Sequence, residues 1–310
     1  MNNKYGVRVP ATTANIGSGF DTLGIALGLY NEIYFEPERD KVLWDTEFIV
    51  EGEGINEIVF GKGNMILSAM QAVGNSVGKS ICGGKMNLIN HIPLARGLGS
   101  SSSALVAGAY LANLLLNEPL GKEELLNIVA KIEGHPDNVS PAVFGGFCVS
   151  LMNESLVSVA KIEISSEWKA VVAIPEYELL TADSRAVLPA TYSRADAVHN
   201  IGAVSFLMSA FMLQNPEYLR HGLSDRIHVP YRLELIPGAE GAIQRAYENG
   251  GYGATISGSG PTIIAFTSPS CAECVGEAMV EGFNNKNIEA KYMVLDFDQY
   301  GVKTIELDNY

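Results

Sequence analysis

Between Lys85 and Glu118 the chain runs from an alternating segment, KMNLINHIPL, through ARGLGSSSS, into ALVAGAYLANLLLNE. No other stretch limits the fold so strongly. The alternation is that of a strand, and the long run of small apolar residues is a helix stopped near Pro119. Between them Gly97 and Gly99 supply backbone conformations closed to other residues. The N–H groups at a helix start lack intrahelical partners and carry the positive end of the dipole, so a glycine turn that opens a helix is a natural phosphate cradle. Ser100, Ser101, Ser102 and Ser103 add an N-cap and hydroxyls able to hold phosphate oxygens or Mg²⁺. An ordinary glycine turn with a serine cap would look the same from this stretch alone.

The commoner phosphate loops do not fit. No Gly-Lys pair has a glycine five residues earlier, as a GxxxxGK[ST] loop needs, and the third glycine of a dinucleotide fingerprint would fall on Ser102. Two further segments strengthen the case. PATTANIGSGFDTLGIAL (10–27) packs Asn15, Asp21 and three glycines between apolar flanks, and GYGATISGSGPTIIAF (251–266) sets a second glycine-serine turn beside a strand.

At 310 residues the chain is long enough for two domains. Strands are expected at Gly6–Val9, ended by Pro10, and in NEIYFEPE, FIVEGEG, VFGGFCVSL, WKAVVAIP, PTIIAFT and KYMVLDFD. Helices are expected in GNMILSAMQAVGNSVG, GKEELLNIVAKIEGHPDN, DAVHNIGAVSFLMSAFML and AEGAIQRAYENG. The polar stretch NESLVSVAKIEISSE reads as the approach to a second domain. Acidic residues outnumber basic ones, 35 to 21, which argues against a nucleic-acid partner or an anionic membrane surface. The N-terminal residues lack an apolar segment behind a basic start, and no apolar run approaches the length of a membrane span, so the expected location is cytoplasmic. Four cysteines in apolar settings read as reduced thiols. Cys271 and Cys274 form a CxxC with no second pair and no nearby histidine, which suggests a helix start rather than zinc.

The three glycine-bearing segments together resemble the conserved motifs of the galactokinase, homoserine kinase, mevalonate kinase and phosphomevalonate kinase superfamily, in that superfamily's order. Within it, PATTANIGSGFDTLG, EGHPDN (133–138), SRAVLP (184–189) and IHVPYRLELIPGA (227–239) resemble the homoserine kinase branch. The resemblance implies an α+β, two-domain small-molecule kinase fold. Residues 1–160 would form an ATP-binding domain like ribosomal protein S5, and residues 161–310 a ferredoxin-like domain. It implies ATP-dependent phosphorylation of the side-chain hydroxyl of L-homoserine, a step of threonine biosynthesis, with Mg²⁺ as cofactor. The family is often dimeric, so a homodimer is a further expectation. A sister kinase for another small alcohol, or a non-catalytic metabolite-binding relative, would share parts of the pattern.

The site residues implied by the resemblance are these. ATP would meet Asn64 and the loop Pro93, Leu94, Ala95, Arg96, Gly97, Leu98, Gly99 and Ser100 to Ser103. Glu133 and a loop serine, Ser101 or Ser100, would hold the metal. Arg185 and Arg232 suit the homoserine carboxylate and Asp21 its ammonium, while Asn15 or Asn138 would orient the hydroxyl. Sister branches carry a Lys two residues after the proline of the first motif and a catalytic Asp after the acidic helix. Here these positions fall on Thr12 and Asn138, with Asp137 adjacent, so chemistry would rest on positioning and charge neutralisation unless Asp137 serves as base.

Overall fold

A computed structural model describes residues 4–55, 59–154 and 156–306. Its strands are β1 (Tyr5–Ala14), β2 (Leu23–Val42), β3 (Glu47–Gly52), β4 (Cys82–Asn90), β5 (Phe147–Asn153), β6 (Leu156–Ile162), β7 (Lys169–Pro175), β8 (Gly251–Ile256), β9 (Ile263–Thr267), β10 (Ala290–Leu295) and β11 (Lys303–Thr304). Its α-helices are α1 (Met65–Ser76), α2 (Ser100–Leu115), α3 (Lys122–Glu133), α4 (Val139–Phe144), α5 (Thr181–Ala186), α6 (Arg194–Met212), α7 (Leu219–Gly222), α8 (Val229–Leu233), α9 (Ala239–Glu248) and α10 (Ala272–Asn284).

Two sheets result. The first has the order β11-β1-β2-β4-β3, with β5 pairing β2 and β6 continuing from β5. Its one parallel pair, β3 with β4, is joined across α1, the crossover that parallel strands require. The second sheet, β10-β7-β9-β8, is antiparallel throughout. Its chain order, a strand, helices, two strands, a helix and a strand, is the split βαβ arrangement of ferredoxin-like domains.

The apolar runs of β7 and β9 follow from burial on both faces. Side chains alternate along a strand, so Ala170, Val172, Ile174, Ile264 and Phe266 enter the core between the two sheets. Val171, Ala173, Ile263 and Ala265 enter the core beneath α9 and α10. A third core lies between the first sheet and α1 to α4. The molecule is therefore layered helix, sheet, sheet, helix, and the mouth between the sheets is where β1, β8 and the start of α2 come together.

Two local expectations change, and the end of the chain adds a further pairing. β1 does not end at Pro10; it continues to Ala14, because the register shifts between Pro10 and Ala11 and a bulge accommodates a ring with no N–H to donate. The polar stretch before the second sheet is not a connector. Its alternation of exposed and half-buried residues is that of an edge strand, β6, paired along its length with β5. Finally, β11 returns the chain to β1, so sheet membership does not follow chain order. Cys271 caps α10, Cys274 is exposed, and burial pushes the Cys148 thiol up to about 12, well out of reactive range. Among the described residues no helix is long and apolar enough to cross a membrane.

Candidate active site

The glycine loop reaches its position by packing against the other two glycine turns. Ser257 Oγ bonds the Gly97 carbonyl at 2.7 Å and Thr13 Oγ1 at 2.9 Å, and Gly258 N donates to Ala14 O at 3.1 Å. Gly97 has φ +74°, and a Cβ there would collide with the Ser257 carbonyl. Gly99, at φ +72°, is the N-cap of α2, in place of the serine cap expected from sequence. It makes no side-chain cap, so the first-turn N–H groups are left open to an anion. Asn15 ties the third segment in: its Oδ1 accepts from Asp21 N at 2.9 Å and its Nδ2 donates to Gly258 O at 2.8 Å.

Where these turns converge lies a cleft of about 600 Å³. From the loop it is lined by Leu94 to Ser101; Pro93 lies instead on a neighbouring hollow, and Ser102 and Ser103 are buried beneath the helix start. Asn64 reaches the cleft wall, but its carboxamide is committed to capping α1 through Leu67 N and to the Val59 carbonyl. Arg96 is drawn toward Glu178, 3.6 Å away.

Glu133 is the last residue of α3, an unfavourable place for a carboxylate in its own helix dipole. The tertiary fold reverses that judgement, because its Oε1 accepts from Ser101 Oγ at 2.8 Å and Ser102 Oγ at 2.9 Å, placing it at the positive start of α2. Hard oxygens from one carboxylate and adjacent hydroxyls match what Mg²⁺ takes when most of its remaining ligands are water and phosphate. Among the described residues no group of three or more His, Cys, Asp or Glu is arranged to hold a metal by itself.

Against the glycine loop, where a Cβ on Gly99 would collide with it, Thr12 Oγ1 donates to Asn138 Oδ1 at 2.8 Å, so the two positions singled out against the sister kinases do meet. Asp137 is 2% exposed, and its Oδ1 is held by His135 Nδ1 at 2.6 Å and Asn138 N at 2.9 Å. Arg185 and Asp21, read separately from sequence, form a two-pronged ion pair with each other at 2.7 and 3.0 Å. Arg232 is almost wholly buried, donating from Nε to Ser184 O at 3.2 Å and from Nη1 to Gly258 O at 3.1 Å. Burial first, and then the Arg185 charge, push its pKa down to about 10.

Two residues here carried no assignment from sequence. His228 donates from Nε2 to Gly17 O at 2.7 Å, and its Nδ1 faces Arg232 Nη1 at 3.4 Å. Burial, opposed by Asp225 and aided by Arg232, pushes its pKa down to about 4, in keeping with a neutral ring that accepts at Nδ1. Phe20 sits under the Arg185 and Arg232 guanidiniums. The i, i+4 spacing of His228 and Arg232 and the place of Phe20 beside Asp21 were the available signals.

Residues 64–146 match the model of the GHMP kinases N terminal domain, and residues 207–285 that of the GHMP kinases C terminal. A homoserine kinase from Carboxydothermus hydrogenoformans is 43% identical over 304 residues, covering 98% of this chain and 97% of that protein. The chain belongs to the homoserine kinase family. A homoserine kinase from Moorella thermoacetica is 42% identical over 91% of this chain and 94% of its own. The crystal structure of a homoserine kinase from Cytophaga hutchinsonii superposes with a TM-score of 0.89 at 30% identity, covering 98% of both chains. A mevalonate kinase from Methanococcus jannaschii, 14% identical with a TM-score of 0.70 over 96% of this chain and 98% of its own, shares the fold. The two-domain α+β kinase fold expected of the sequence is thus the fold of the homoserine kinase family.

Proposed function

We propose that this protein transfers the γ-phosphoryl group of ATP to the side-chain hydroxyl of L-homoserine, yielding O-phospho-L-homoserine for threonine biosynthesis. The observation that carries the reading is a charge pattern: Asp21, Arg185 and Arg232 line one cleft with an open helix start, although Asp21 stands 164 positions from Arg185 and 211 from Arg232 in sequence. That pattern is the complement of an amino-acid zwitterion. The ammonium would lie against Asp21 and the carboxylate against Arg185 and Arg232, for which a guanidinium fork is suited.

The phosphates would rest on the first-turn N–H groups of α2 and on Ser100 and Ser101. Glu133 with Ser101 would hold Mg²⁺, which when bound neutralises charge on the β and γ oxygens. Asn138, fixed through Thr12, would orient the acceptor hydroxyl together with Asn15. Asp137 Oδ1 is occupied by His135 Nδ1 and Asn138 N, so on this reading the reaction rests on alignment of acceptor and phosphoryl group, with charge neutralisation, rather than on a strong base. We place the division between nucleotide and substrate domains where the chain leaves β6 at Ile162 for β7 at Lys169, just past the expected 160–161.

ADP release from Mg-ATP, measured with L-homoserine, mevalonate, galactose and L-serine in parallel, tests the reading. Release with homoserine alone, abolished by EDTA, is the expected outcome. Preference for another alcohol would discard the arginine roles, and silence with all four would point to a non-catalytic binder.

A further inference from the structure

Arg185 and Arg232 line one cleft and are close enough that the charge of the first depresses the pKa of the second. Asp21 hydrogen-bonds Arg185, while Arg232 feels the charges of Asp21, Asp137 and Asp225 without bonding any of them. Arg232 has carbonyl oxygens and a neutral imidazole for partners, and among the described residues its Nη2 makes no hydrogen bond. Two crowded cations of this kind need something that steadies both without cancelling the positive charge that draws a carboxylate in. A second carboxylate would hold Arg232 but compete with the substrate for it. An aromatic face does not compete, because a ring quadrupole attracts a guanidinium while leaving its in-plane N–H donors free.

Phe20 is placed to be that face. The Arg232 guanidinium lies 5.2 Å from its ring centroid and that of Arg185 5.6 Å, both within cation–π range. The His228 ring stacks on it at 5.0 Å with planes 26° apart. His228 also bonds Gly17 O, so the turn that carries Phe20 and the helix that carries Arg232 are locked together. Phe20 itself does not line the cleft.

We propose that Phe20 is a positioning residue for carboxylate recognition: its ring holds the Arg185 and Arg232 guanidiniums in place for an amino-acid carboxylate and touches neither substrate. The inference rests on the reading that these arginines take the homoserine carboxylate. Phe20→Leu keeps an apolar side chain of similar reach and removes the π face, whereas Phe20→Tyr keeps the face. With Phe20→Leu, the KM for L-homoserine should rise about tenfold, the loss expected from two weakened cation–π contacts. Its kcat and its KM for ATP should stay within about twofold of the parent, and Phe20→Tyr should restore the homoserine KM. Should Phe20→Leu not fold, Phe20→Met takes its place in the same comparison.

An unchanged homoserine KM in the folded ring-less variant overturns the proposal. So does a parallel loss of kcat and ATP affinity, which would mark Phe20 as scaffolding. Arg232→Lys, assayed alongside, separates the two readings. If it leaves the homoserine KM unaltered, the carboxylate assignment itself fails; if it raises KM while Phe20→Leu does not, only the role of Phe20 falls.

Discussion

At His228 a buried imidazole does the work of a neutral spacer, accepting from one cation and donating to a turn carbonyl. Its side chain is wholly buried, facing Asp225 at 3.9 Å and Arg232, and its pKa lies near 4 against an ordinary 6.5. As pH falls the unfolded chain takes up this proton first, so stability is present in full above about 6.5 and is lost as pH drops toward about 4. His228→Gln keeps a donor for Gly17 O and cannot titrate. The stability advantage of the parent over this variant should therefore shrink between these pH values, read from urea midpoints at each pH; a constant difference would contradict the assignment. From the sequence, Asn15, Asp21, Arg185 and Arg232, which the structure brings to one cleft, were legible as candidates because they stand in recognisable motifs. That Asp21 and Arg185 pair with each other was not, since no local signal reports a contact across 164 positions.

Among the elements, α2 and its glycine turn were the most legible, because left-handed glycines and a helix start are properties of about ten consecutive residues. The cap was misread: Gly99 holds the N-cap position, because φ +72° there is costly for serine, and the hydroxyls turn to Glu133 instead. Gly97→Ala places a Cβ against the Ser257 carbonyl in a left-handed conformation. It should cost at least about 1–2 kcal/mol of stability, measured by chemical denaturation. It should also raise the KM for ATP, since the loop and the 257–260 turn can no longer pack together. The edge strand β6 was missed for the opposite reason. Its residues, LVSVAKI, are half-buried at best and stand between polar flanks, so the segment reads as a connector until pairing with β5 makes it a strand.

Across the whole molecule, the core between the two sheets fixes the cleft. Phe266 is fully buried there, edge-on to Phe211 at 5.6 Å and stacked on Phe297 at 6.3 Å. It stands on β9, the strand that follows the 257–262 turn. Phe266→Ala should destabilise the protein by about 3–5 kcal/mol, as cavities at aromatic sites do, and lower the thermal midpoint accordingly. Loss of much less would mean that the two sheets pack less tightly than described. By itself the sequence determined the α+β, two-domain class, the strand, turn and helix around Gly97 and Gly99, and membership of the kinase family. Each of these is written in short-range periodicity, glycine placement and motif identity. Only the tertiary structure decided that Glu133 faces the start of α2, that Arg185 turns to Asp21, and that Phe20 and His228 stand behind Arg232. Those contacts join residues from separate elements, and chain connectivity places no constraint on such pairs until the sheets pack and bring them within bonding distance.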